Sequence, residues 1–280
     1  MGTYHRPKDI GTALRVLGAG APTIMAGGTD FYAARVGRFI DEDVLDITAV
    51  DGLRGIEESD DHFRIGATTT WTQVIETDLP PWFDGLKQAA RELGGMQTQN
   101  AGTVCGNICN ASPAADGIPP LLTLDAVVEV ASLGGQSRLP LSEFVVGNRR
   151  TALEPGQMVT GLSIPKPAHP ARGAFLKLGA RKYLVISIAM VAAVIERDGA
   201  GCVAAARVAV GACSEVARRL PELEMALVGR PLSADLGTAA QARQLDALSP
   251  IDDVRGSAEY RRDAALIALR RCLAELGGGP

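Results

Sequence analysis

The sequence predicts an α+β chain in two parts, and three observations predict it. Two loops of small residues, at positions 23–30 and 101–116, sit among short alternating strand patterns in the first half of the chain. Prolines at 165, 167 and 170 then interrupt the pattern and mark 166–170 as a linker. Beyond it, strand-like runs precede helical ones, the order expected of a smaller α+β domain whose three-stranded antiparallel sheet carries helices on one side. A chain of 280 residues has room for two or three modest domains, drawn at 1–55, 56–166 and 171–280.

Taken in order, Ile10, Ala13, Leu14 and Leu17 recur at helical spacing, and Gly18 and Gly20 stop the helix. Gly18-Ala19-Gly20 follows a helix rather than a strand and lacks a third glycine, which excludes a Rossmann fingerprint. Residues 23–26 read as a short strand meeting the Gly27-Gly28 turn, and 31–36 as the first turns of a helix that Thr29 or Asp30 caps. A strand follows at 44–47, then hairpin strands at 53–56 and 63–67. Trp71, Val74 and Ile75 form the apolar face of a short helix. Leu86, Ala89, Ala90 and Leu93 form another, ended by Gly94-Gly95.

Residues 101–116 hold Gly, Asn, Ser, Pro and Asp around only two large aliphatic residues, Val104 and Ile108, and read as an irregular loop held against the apolar run that follows. A hairpin is expected over 126–132 and 135–141, a packed turn at 141–145, and a closing strand at 158–165. After the linker come strands at 173–178, 186–196 and 204–211, helical patterns at 221–228 and 261–276, and a Gly277-Gly278-Gly279-Pro280 tail.

Composition narrows the function. With 46% hydrophobic residues, 21% charged residues and a net charge of −4, the chain reads as globular and offers no basic face for nucleic acid. Arg149-Arg150, Arg218-Arg219, Arg261-Arg262 and Arg270-Arg271 are read as helix surfaces or partner contacts. No signal-peptide core opens the sequence and no apolar run is long enough to span a bilayer, so the expectation is a cytoplasmic protein. The five cysteines contain no CxxC pair and no four-cysteine group for an iron–sulfur cluster. His5, His62 and His169 lack metal-ligand spacing, and no catalytic dyad stands out, so the reactive group of an enzyme built on this chain would be a cofactor.

The two small-residue loops are where a cofactor would sit. Glycines allow close backbone approach, and free N–H groups in a tight turn or at a helix start suit phosphate oxygens. The alternative reading of either loop alone is an ordinary surface turn.

Ala26-Gly27-Gly28-Thr29-Asp30, Thr103-Val104-Cys105-Gly106-Asn107 and Ala111-Ser112-Pro113-Ala114-Ala115-Asp116, in this order and spacing, resemble the FAD diphosphate loops and following flavin-site segment of the molybdenum hydroxylase flavoproteins. That family includes the medium subunit of aerobic carbon monoxide dehydrogenase and the flavin domain of xanthine dehydrogenase, and the resemblance runs over nearly the whole chain. It implies a two-part FAD-binding domain of the vanillyl-alcohol-oxidase-like (PCMH) type followed by the smaller C-terminal domain. It further implies a flavin site at Ile24, Met25, Ala26, Gly27, Gly28, Thr29, Asp30, Phe31 and Tyr32, then Leu93, then Thr103, Cys105, Gly106 and Asn107, and finally Asp116, Ile164 and Lys177. Asp116 is expected to accept from ribityl or ribose hydroxyls, and Lys177 to bring a cation near the flavin.

The family usually carries Gly-Gly where this chain has Cys105-Gly106. A Cys with positive φ there would be strained by about 1–2 kcal/mol. The implied function is that of an electron-transferring FAD subunit working with a small subunit of two [2Fe–2S] clusters and a large molybdenum-cofactor subunit, as a dimer of heterotrimers, and delivering electrons to an external acceptor. A self-sufficient FAD-dependent oxidase or dehydrogenase, and a non-flavin assembly module that kept the fold, are the alternatives.

Overall fold

The computed structural model describes residues 2–278; Met1, Gly279 and Pro280, two of them in the expected glycine tail, lie outside the described residues. Three sheets of more than two strands follow one another along the chain. In the first, the strand Val44–Asp46 lies between Tyr4–His5 and Thr23–Met25 and pairs parallel with both. The helix Ile10–Gly20 makes the crossover: Asp9 caps it by accepting the Thr12 N–H, and Ala13, Leu14 and Leu17 face the core.

The second sheet is antiparallel, in the order Ile56–Glu58, His62–Gly66, Met158–Pro165, Val127–Ser132, Gly135–Pro140. Alternation sends Phe63, Ile65, Val128, Leu162 and Ile164 into the core. On the other face Glu129 pairs with Arg64 at 2.8 Å and with Arg138 at 3.0 Å. The Phe63, Trp82 and Phe83 rings close the inner face, with centroids 4.2 to 5.6 Å apart.

The third sheet pairs Ala171–Leu178, Ala189–Arg197 and Val203–Gly211 antiparallel, and a two-residue strand, Arg218–Arg219, extends the three expected strands. The helix Ala258–Gly278 covers it through Ala265, Leu269, Leu273 and Leu276. Its other side meets the first half of the chain backbone to backbone. A Cβ on Gly173 would lie 2.5 Å from the Trp82 carbonyl oxygen, so the linker delivers a strand that only glycine can seat there.

The structure corrects several local readings. The first hairpin strand is Ile56–Glu58 rather than 53–56, and the helix after the first glycine loop is Thr29–Ala33, with Gly28 rather than Thr29 or Asp30 at its N-cap. Residues 101–116 are not an irregular loop. After the helix Met96–Ala101, Thr103 caps a second helix, Val104–Asn110, by accepting the Gly106 N–H at 3.0 Å. Gly106, Asn107 and Asn110 are weak helix formers, but Val104, Cys105 and Ile108 fall on one side and are fully buried, and that burial holds the helix. The chain then turns through 111–117 into the helix Ile118–Thr123.

Candidate cofactor site

A cavity of about 420 Å3 lies between the two loops. The first loop leaves the strand Thr23–Met25 and enters the helix Thr29–Ala33 through Gly28, whose φ of +70° is in the left-handed region that favours glycine. Gly28 has no side chain to cap the helix, so the N–H groups of Thr29, Asp30 and Phe31 open it with no carbonyl one turn behind them. The second loop is fixed from behind: Trp71 N–H donates to the Gly102 carbonyl at 3.2 Å and Val104 N–H to the Thr69 carbonyl at 3.0 Å. Among the described residues, none accepts from the N–H of Cys105.

The two loops touch. A Cβ on Gly27 would lie 1.9 Å from the Ala101 carbonyl oxygen and 2.8 Å from Gly102 Cα, so only a glycine at 27 lets the loops close around one cavity.

Ile24 through Phe31, Leu93, Thr103, Cys105, Gly106 and Asn107 all line this cavity. Tyr32 stands just outside the lining, its ring edge under Gly28, where a Cβ would lie 2.9 Å away. Ile164 is fully buried in the second sheet, whereas Val159, five positions earlier on the same strand, lines the cavity. Asp116 and Lys177 are outside the lining and are bound to each other, Lys177 Nζ to Asp116 Oδ2 at 2.5 Å. The Ser187 hydroxyl donates to the other carboxylate oxygen, also at 2.5 Å. Burial raises the Asp116 carboxyl above the usual carboxylate value, while Lys177 and the two hydrogen bonds act against that rise.

Cys105 lies inside a helix and is not among the residues of positive φ, so the strain that a positive φ would bring does not arise. Its thiol is buried and raised well above the usual cysteine value by that burial. Cys109, one turn on, is exposed at the cavity wall, and the dense protein around it also pushes its thiol upward. Both remain protonated thiols near neutral pH and are poor nucleophiles.

The sequence did not single out the charged wall of the cavity beyond Asp30. Arg35 and Arg149 line it as well. Arg35 is tied down: its Nε donates to Glu42 at 2.5 Å, its Nη1 to the Phe31 carbonyl at 2.9 Å, and its guanidinium sits 3.8 Å over the Phe31 ring. Arg35 and then Thr23 donate to Glu42, holding its carboxyl down at about 2. Because that carboxyl is depressed in the fold, its contribution is complete above an ordinary value of 4.5 and is lost as pH falls toward about 2. Glu42→Gln is therefore expected to lower the denaturation midpoint at pH 7, with the gap to the wild type closing between about pH 4.5 and 2. A gap that stays constant over that interval would show that the carboxylate is not the source.

Arg149, read from sequence as part of a surface basic pair, follows the strand Val145–Gly147 and adopts a φ of +53°. Only the turn signal at Gly147-Asn148 pointed to an unusual backbone there.

No helix among the described residues is long and apolar enough to cross a membrane, and no group of three or more His, Cys, Asp or Glu side chains among them could hold a metal ion.

Residues 1–167 match the model of the FAD binding domain in molybdopterin dehydrogenase, and 174–276 the CO dehydrogenase flavoprotein C-terminal domain. The chain is 32% identical to 6-hydroxypseudooxynicotine dehydrogenase complex subunit alpha of Paenarthrobacter nicotinovorans, over 97% of this chain and 93% of that one. It is 30% identical to the nicotinate dehydrogenase FAD-subunit of Eubacterium barkeri, over 94% and 87% of the two chains. Among solved structures, a chain of CO dehydrogenase from Oligotropha carboxidovorans superposes with a TM-score of 0.87 at 27% identity, covering 99% of this chain and 98% of that one.

Proposed function

The chain belongs to the family of FAD-binding subunits of the molybdenum hydroxylases, and from that membership we propose that it carries electrons between a cluster-bearing partner and an external acceptor. It is thus one component of an oxidoreductase. The partners on this reading are a small subunit with [2Fe–2S] clusters and a large subunit with the molybdenum cofactor, assembled as a dimer of heterotrimers. Relatives described as an FAD-subunit and as subunit alpha of a complex support a multi-subunit assembly.

The observation that carries this reading is the closure of the two loops at Gly27, a position where any Cβ would overlap backbone. A cavity whose walls are bare backbone on two sides fits a diphosphate. The N–H groups of Thr29 to Phe31 on one loop and of Cys105 on the other would hold its oxygens. Ile24, Met25 and Leu93 supply apolar wall, and Trp71 backs the cavity behind Gly102. FAD bound there supplies chemistry that no side chain on this chain has, acceptance and release of electrons singly or in pairs. The protein's part is to orient the cofactor and keep charge fixed around it. The Cys105 thiol is buried, and that burial holds it protonated. Asp116, Ile164 and Lys177 extend the proposed site beyond the cavity.

The test is an absorbance spectrum of the purified chain with whatever accompanies it, followed by acid release and identification of the chromophore. Flavin bands with FAD released at about one per chain are expected. A colourless chain that takes up no added FAD would overturn the reading in favour of a non-flavin assembly module.

A further inference from the structure

Two residues other than glycine adopt the left-handed conformation beside the cavity, and a backbone hydrogen bond joins them. Ala111, which ends the helix Val104–Asn110, has φ +47°, and Arg149 has φ +53°. Residues with a Cβ adopt this conformation at a cost and keep it only where their surroundings impose it, a pattern that concentrates at ligand sites. Ala111 does so as the C-cap of its helix, its N–H donating to the Ile108 carbonyl, and the Arg149 N–H donates in turn to the Ala111 carbonyl at 2.8 Å. The side chain is held too, since Arg149 Nη1 donates to Asn110 Oδ1 at 2.5 Å. Asn110 and Arg149 both line the cavity beside Cys105 and Gly106.

What distinguishes Arg149 is its charge balance. Of the two arginines on the cavity wall, Arg35 spends its charge on Glu42. Among the described residues, no carboxylate lies within ion-pair distance of Arg149, whose guanidinium donates instead to the neutral Asn110. An uncompensated guanidinium, anchored at one nitrogen with its remaining donors open, on a strained backbone at the wall of a cavity, is a receptor for an anion.

Resting on the FAD reading of this cavity, we infer that Arg149 is a diphosphate-binding residue of this chain. Asn110 and the paired left-handed backbones at 111 and 149 fix its guanidinium for that task. The chemistry it selects is the doubly charged pyrophosphate bridge, and it therefore favours a dinucleotide over an uncharged nucleoside or a bare flavin.

The experiment titrates the full apo chain with FAD, ADP, adenosine and riboflavin, comparing the wild type with Arg149→Gly and Arg149→Asn. Glycine and asparagine both tolerate positive φ, so the two variants remove the charge without adding strain, and both are expected to unfold at or above the wild-type midpoint. FAD and ADP should each bind about 10- to 100-fold more weakly to both variants, the effect of losing one charge-assisted contact. Adenosine and riboflavin should stay within about twofold, and the salt dependence of ADP binding should become shallower. Unchanged FAD and ADP affinity in a folded variant would overturn the inference while leaving the FAD reading intact, and so would equal weakening of adenosine. A wild-type chain that binds no FAD would overturn both.

Discussion

Lys177→Met is expected to destabilise the chain by about 3–5 kcal/mol, the usual range for stripping one partner from a buried ion pair. Lys177, on the strand Ala171–Leu178, and Asp116, in the turn after the helix Val104–Asn110, have side chains only 3% and 8% exposed. Their 2.5 Å contact joins the C-terminal domain to the segment beside the cavity, and Ser187 occupies the second carboxylate oxygen. Without Lys177 the carboxylate is left in a site that already disfavours its charge, because burial is the largest influence on Asp116 and acts upward.

The pH dependence follows. A carboxyl raised in the fold keeps its proton to higher pH than in the unfolded chain, so its ionisation opposes folding as pH rises. Removing Lys177 raises it further, and the deficit of Lys177→Met is therefore largest at neutral pH and shrinks on acidification as Asp116 takes up a proton. Urea denaturation of both proteins at pH 7 and pH 5 measures this. Lys177→Met combined with Asp116→Leu should recover most of the loss, since the orphaned charge is gone. A single-variant effect below about 1 kcal/mol at pH 7 would mean that water or rearranged neighbours solvate Asp116, and the pair would not be the domain link inferred from its geometry.

How far the sequence could be read depended on whether a residue's neighbours were local. Gly27-Gly28 was legible because a short β-type run, two glycines and a helical start are contiguous, and the structure brings that loop to the cavity. The longer strands, at Val127–Ser132, Met158–Pro165, Ala171–Leu178 and Val203–Gly211, and the strands-then-helices pattern of the last hundred or so residues were legible for the same reason. The helix Val104–Asn110 was not, because its composition argues for a turn. Its stability comes from a cap at Thr103 and from burial of Val104, Cys105 and Ile108 against the rest of the fold. That helix also gives Cys105 a helical φ, so the condition for strain there is not met.

Lys177 fitted a strand pattern, but its burial rests on Asp116, 61 positions away. Arg149 looked like half of a surface pair; its place at the cavity needs a turn that returns to Ala111 and to Asn110, the latter 39 positions before it. Ile164 and Val159 share one strand, and only the sheet's registry decides which of them reaches the cavity.

Gly27→Ala tests the closure itself and carries the largest expected effect on binding. The added methyl would lie 1.9 Å from the Ala101 oxygen, 2.7 Å from its carbonyl carbon and 2.8 Å from Gly102 Cα. All three are backbone atoms, so no side chain can rotate away to make room. The loops must part instead, by roughly 1 Å or more if ordinary contact distance is to be restored. Overpacking of this kind costs about 1–3 kcal/mol and more where backbone has to move. The larger consequence is for the cavity, because donors on the two loops that converge on one diphosphate no longer do so once the loops separate. FAD affinity is expected to fall at least about 100-fold, on the argument that a displacement near 1 Å forfeits most of a convergent hydrogen-bond set.

Gly199→Ala supplies the comparison. That glycine has no atom within 4 Å of where its Cβ would be and no positive φ, so the substitution should leave both stability and FAD binding unchanged. If Gly27→Ala bound FAD within about threefold of wild type while Gly199→Ala behaved as expected, the cofactor would not depend on the contact between the loops. The closure at Gly27 would then be a packing feature of the fold with no part in binding.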